Sequence, residues 1–274
     1  MRLTTFATLS MAMFSLSPKA YSYQAYWADL MQRNFSDGAR VYDQTLYRIG
    51  GTASMNKGAL WGKLDQIQNK AFGPAQSIDG GGLYRYGDTS TTFGLGFGND
   101  FHLRSNRLYI IEQRFYVKND KVIPLLGFAR EDYLGSPQSY YYFQRLGLGL
   151  VFTKEFFLSL QVQRIENSFS DKTPKKLGLG TQISLMYQRE KWLSQLALLR
   201  NCLGETQFCH GSKDSYDEYL INAQIKVKSD WAVRFNASYI KQSSRFVSPF
   251  AGTISNSTST HSEVVGMGII KIIP

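Results

Sequence analysis

Along most of this chain, apolar residues alternate with small or polar ones in segments of about ten residues, and polar connectors separate the segments. Phe157-Leu158-Ser159-Leu160-Gln161-Val162-Gln163 is one such run; Leu177 to Leu185 and Tyr219 to Val227 are two more. Successive strand side chains point to opposite faces, so each run has one greasy face and one face of Ser, Gln, Asn, Gly and Lys. Strands of about ten residues with that dyad pattern are what a closed barrel in lipid requires. The pattern places strands at 24–33, 39–49, 58–68, 80–87, 91–99, 106–117, 121–132, 139–152, 156–166, 176–188, 192–201, 216–227, 231–242 and 261–273. The expected fold is all-β: one antiparallel transmembrane barrel of about 14 strands. The first run alternates poorly, and 12 strands remain the alternative if it and one other fail.

Connectors alternate in length. Short charged turns fall at Asp88–Ser90, Asn119–Asp120, Lys154–Glu155, Glu190–Lys191 and Ser229–Asp230. Longer connectors fall at Asn69–Ile78, Asp100–Ser105, Leu134–Gln138, Ser168–Lys175, Leu203–Ser215 and Ser243–Thr260. Outer-membrane barrels have short periplasmic turns and long external loops, which puts both termini in the periplasm.

Periodicity then assigns faces. Gln161, Gln163, Gln182, Asn222, Gln224, Lys226, Arg234 and Asn236 are expected to line the lumen, with Lys63, Asp65, Glu112, Arg114 and Arg145 on inward faces as well. Leu160, Val162, Ile183, Ile221 and Phe235 are expected to face lipid. An Arg or Lys facing mid-bilayer lipid would cost about 2–4 kcal/mol, which favours placing these cations inside. Inward glycines, Gly94 to Gly98 and Gly147 with Gly149, make room for large neighbours or for a solute path.

The first 22 residues have the form of an export signal: Arg2, an apolar core from Leu3 to Leu16, and small residues around Ala20-Tyr21-Ser22. Residues 1–22 are therefore assigned to a signal peptide and 23–274 to one barrel domain. The two cysteines, Cys202 and Cys209, share one connector and are expected to form a disulfide in an oxidising compartment. The chain holds 17 Tyr, 18 Phe, 24 Gly and only 7 Pro. Its mean hydropathy is −0.26. Both suit a barrel with aromatic interfacial girdles and a wet interior. A soluble exported β protein is the competing reading. The formal net charge is +10, and part of it lies in connectors, where solvated or headgroup-facing charge is the plain explanation.

The last strand resembles the C-terminal assembly signal of outer-membrane proteins in Gly268 and Ile273, although Lys271 stands where an apolar residue is expected and Pro274 replaces the terminal aromatic. The Gly/Asp turn Asn34 to Tyr42, leading into a Tyr-bearing strand, resembles the layout of YaiO-like outer-membrane barrels. The resemblance implies an outer-membrane barrel and little more. The partners expected of such a barrel are membrane lipid, lipopolysaccharide and the barrel-assembly machinery.

Chemistry is sparse. His210 and Ser212 have the His-x-Ser spacing of barrel lipases, but they fall in a connector where strand geometry would not hold them together. No CxxC, HExxH or EF-hand pattern appears, and no Gly-rich loop leads into a helix, so no metal, cofactor or nucleic acid is expected. The leading expectation is a small pore for hydrophilic solutes, anionic ones among them, with Arg114, Arg145, Lys226 and Arg234 as a charge filter. A non-conducting structural or glycan-associated barrel is the alternative, and a hydrolase built on His210 and Ser212 the third.

Overall fold

In the computed structural model, fourteen strands follow one another in sequence and close on themselves as an antiparallel barrel. They are β1 Gln24–Ser36, β2 Val41–Met55, β3 Gly58–Asn69, β4 Gly73–Tyr86, β5 Thr89–Asn99, β6 Ser105–Phe115 and β7 Val122–Leu134. The second half comprises β8 Ser139–Val151, β9 Phe156–Ser168, β10 Lys176–Arg189, β11 Trp192–Leu203, β12 Asp214–Lys228, β13 Trp231–Ser243 and β14 Ser259–Ile273. The structure describes residues 24–36, 41–69, 73–99, 105–134, 139–168, 176–203, 214–243 and 259–273. Among them no helix is long and apolar enough to cross a membrane.

Closure is the pairing of β1 with β14, from Gln24 opposite Ile273 to Ser36 opposite His261. It removes the sheet edge, whose bare N–H and C=O groups could not be left unpaired in lipid. The poorly alternating first segment is therefore a full strand, paired on both sides, and the count is fourteen. Hydrogen bonds to two neighbours hold it where its own apolar pattern is weak. One connector was drawn too long: the stretch read as part of a loop up to Ile78 is strand from Gly73 onward. Pro74 and the run Gly80-Gly81-Gly82 weaken the strand pattern there, yet β4 is ladder-bonded to β3 and β5.

The alternation of burial is regular. In β6 it runs exposed-buried from Ser105 to Glu112, and in β5 from Thr92 to Gly96. In a closed barrel the buried face is the inner one. The outer face carries Leu95, Ile111, Leu146, Val162, Ile183, Leu196, Ile221 and Met267 around its middle. Aromatic side chains flank this band: Tyr26, Tyr84, Phe115 and Trp192 toward the end with the short turns, and Tyr47, Tyr109, Tyr219 and Tyr239 toward the other. Outward charges keep to the ends, as in Arg130 with Asp132 and Arg200 with Asp217.

Both described chain ends, Gln24 and Ile273, lie at the short-turn end. There Lys118, Asn119 and Asp120 take positive φ in the turn between β6 and β7. Lys271 is explained at the same end. Its ammonium pairs with Asp230 in the turn between β12 and β13 and lies 4.8 Å from the Trp231 ring centroid. It thus stands at the rim, below the apolar band.

Candidate functional site: a polar belt inside the barrel

Midway along their strands, the inward side chains join into a belt of ion pairs and hydrogen bonds. On β2, β3 and β4, Arg48 donates to Asp65 at 2.7 Å, Lys63 donates to the same carboxylate at 2.7 Å, and Lys63 Nζ stands 3.1 Å from Asp79 Oδ2. On β6, Arg114 Nε donates to Glu112 Oε1 at 2.7 Å. On β8 and β9, Arg145 donates to Gln163 at 3.1 Å, and Gln163 in turn donates to Asn201 of β11 at 2.6 Å. Gln195 of β11 donates to Ser184 of β10 at 2.8 Å and accepts from Asn222 of β12 at 3.4 Å. At the seam, Arg234 of β13 donates from Nε to Asp29 of β1 at 3.1 Å, with a second bond from its other nitrogen.

Glycines make several of these links sterically feasible. Arg234 and Asp29 both have Gly268 as their strand partner, one from each side. A Cβ on Gly268 would lie 1.8 Å from Asp29 Oδ1. Gly180 sits the same way between Gln163 and Asn201, and a Cβ there would lie 2.0 Å from the Asn201 side-chain oxygen. Gly127 separates Glu112 from Arg145. With no side chain on the middle strand, polar groups two strands apart can meet over it.

The residues singled out from sequence fall as follows. Lys63, Asp65, Glu112, Arg114, Arg145, Gln163, Asn222 and Arg234 are buried within the belt. Gln161, Gln182, Gln224 and Asn236 are half-buried on the same inner face, and Lys226 is exposed near the short-turn end of β12. Cys202 is 1% exposed. Cys209, His210 and Ser212 lie outside the described residues. Asp29, Arg48, Asp79, Gln195 and Asn201 belong to the belt but escaped the sequence reading. Asp29 stands on the strand with weak alternation, and Asp79 borders the stretch misread as loop. Their signal is the phase shared with Lys63 and Asp65, visible only when neighbouring strands are in register.

The belt is close to charge-balanced. Arg48, Lys63, Arg114 and Arg234 each contact a carboxylate, and Arg145 binds a neutral amide with Glu112 facing it across Gly127. Among the described residues no group of His, Cys, Asp and Glu could hold a metal ion.

No family model matches the sequence, and no curated protein matches it. The fold, however, is similar to solved barrels. The anion-selective porin from Comamonas acidovorans superposes with a TM-score of 0.51 at 10% identity, over 93% of this chain and 100% of that one. The toluene transporter TodX of Pseudomonas putida gives 0.52 at 7% identity, over 95% of this chain and 91% of that one. At such identities the likeness is one of fold. The resemblance to YaiO-like barrels is neither shown nor contradicted by it.

Proposed function

We propose that the protein spans an outer membrane and forms a narrow passage for small polar solutes with weak charge preference. The observation that carries this reading is the pairing of an apolar, aromatic-flanked outer face with a polar inner belt in which nearly every charge is matched. The outer face suits lipid. The inner belt offers hydrogen-bond partners to a polar solute, while its paired charges leave little net field to sort anions from cations. The anion filter expected from Arg114, Arg145, Lys226 and Arg234 is thereby reduced: Arg114 and Arg234 are tied to acids, and Lys226 lies away from the belt at the rim. Arg145 is the remaining cation of that set bound to a neutral side chain within the belt.

The same reading includes export by residues 1–22, both termini in the periplasm, insertion by the barrel-assembly machinery, and lipopolysaccharide around the outer rim. It also includes a Cys202–Cys209 disulfide. The burial of Cys202 and the absence of a free cysteine among the described residues support that bond.

Single-channel recording of the refolded chain without residues 1–22, in a planar bilayer with a salt gradient, tests the passage. Discrete steps with a reversal potential near zero are expected. Silence from protein shown to be folded would overturn the passage and leave the belt a brace for a closed, non-conducting barrel.

A further inference from the structure

Toward the long-connector end of β7, the inner face holds a carboxylate with an unmet hydrogen-bonding need. Glu131 is 3% exposed, and its Oε1 has no hydrogen-bond partner among the described residues. Register puts Leu108 of β6 and Tyr141 of β8 directly opposite it. Tyr133, two residues along β7, and Phe143, two residues along β8, share its face. Tyr133 and Tyr141 meet edge to face with ring centroids 6.3 Å apart, and Tyr141 stacks on Phe143 at the same distance. Asn106, the strand partner of Tyr133, has its side-chain oxygen buried without a partner too.

Two bare acceptors, one of them an acid, thus stand among three aromatic rings. A neutral hydrocarbon would leave both acceptors unsatisfied, which is costly in a buried site. An anion would be repelled by the carboxylate and by the negative ring faces. A cation that carries N–H groups answers both needs, since it can donate to the two acceptors while the ring faces attract its charge. Among the described residues of β6, β7 and β8 no Arg or Lys faces inward at this level: Arg107 and Arg130 lie on the outer face, the latter paired with Asp132. The nearest inward cation on β8, Arg145, is turned to Gln163.

We propose that Glu131, Tyr133, Tyr141 and Phe143 form a binding station for a small organic cation, a protonated amine with an apolar or aromatic body. The station lies three residues before Leu134, the last residue of β7, toward the long-connector end. It deepens the passage proposed above by naming a solute class, and rests on that passage for how the ligand moves on.

The test is calorimetric titration of 2-phenylethylammonium into the refolded barrel, alongside current block by the same compound. Saturable binding is expected, weakened at least tenfold by Glu131→Gln and several-fold by Phe143→Leu, and unchanged by Glu190→Gln in a distant turn. The neutral isostere propylbenzene should bind more weakly, and its binding should not fall on Glu131→Gln. The proposal is overturned if folded protein shows no saturable binding, or if Glu131→Gln binds as wild type. Should that variant fail to fold, Phe143→Leu decides in the same way. Binding without channel current would keep the station and remove the passage; current without binding would do the reverse.

Discussion

Arg234 and Asp29 are 205 positions apart in the chain and meet inside the barrel, over the bare backbone of Gly268. The pair ties β13 to β1 across β14, at the seam where the first and last strands close. Trp27 lies beneath the guanidinium, 5.7 Å from its carbon to the ring centroid. Because Arg234 and Asp29 share one seam, their contributions should be coupled. A double-mutant cycle with Asp29→Ala and Arg234→Ala, read by urea unfolding in lipid vesicles, should give a coupling of about 1–3 kcal/mol. Additive effects would mean that the pair contributes nothing to closure.

Gly268→Ala should destabilise the barrel although it adds one methyl group. The new Cβ would occupy the position of the Asp29 carboxylate and come within 2.8 Å of the Ala28 carbonyl oxygen. Overpacking of this kind costs about 1–3 kcal/mol. Gly180→Ala should behave likewise, since it intrudes on the Gln163–Asn201 hydrogen bond. An unfolding midpoint equal to wild type in either variant would contradict the bridging role of these glycines.

Selectivity should follow the acids of the belt. Asp65→Asn removes the carboxylate shared by Arg48 and Lys63: Arg48 loses its ion-pair partner, while Lys63 keeps Asp79. The reversal potential in a potassium chloride gradient should move clearly toward anion preference. Arg145→Ala should move it the other way and by less, because Glu112 then loses the charge facing it across Gly127. Unchanged reversal potentials in both conducting variants would place the ion path elsewhere.

The Asp230–Lys271 contact at the rim predicts a pH effect. The hydrogen bond from Lys271 holds the Asp230 carboxyl below the ordinary carboxylate range. A depressed folded-state pKa gives stability that is present above the unfolded value, near 3.8, and is lost as pH falls through the lower folded value. Asp230→Asn should therefore lower stability at neutral pH, by a small amount because the pair is half-exposed, and converge with wild type in acid, which flattens the acid limb of the stability profile. Unfolding midpoints between pH 2 and 7 would show it, and an identical acid limb in the variant would refute it.

Much of the barrel was legible as text because a strand's side-chain period is local. Phe157 to Gln163 and Tyr219 to Val227 announce their two faces without reference to any other part of the chain. Short turns such as Glu190–Lys191 mark where the chain reverses. Weak local signals misled: β1 alternates poorly, and Pro74 with three consecutive glycines hid the first half of β4. In both, the neighbours' hydrogen bonds decide what the segment's own side chains do not.

The sequence by itself determined the fold class, the strand order and which residues of each clean strand share a face, because these depend on a two-residue period and on connector length. Only the tertiary structure decided who meets whom. Register is set jointly by all fourteen strands, and it alone puts Asp29 and Arg234 on either side of Gly268, matches Lys63 with Asp79, and leaves Glu131 among aromatic rings without a cation. An anion filter read from the inward cations thereby became a nearly balanced belt, since charge pairing depends on distance across strands and not on position along the chain.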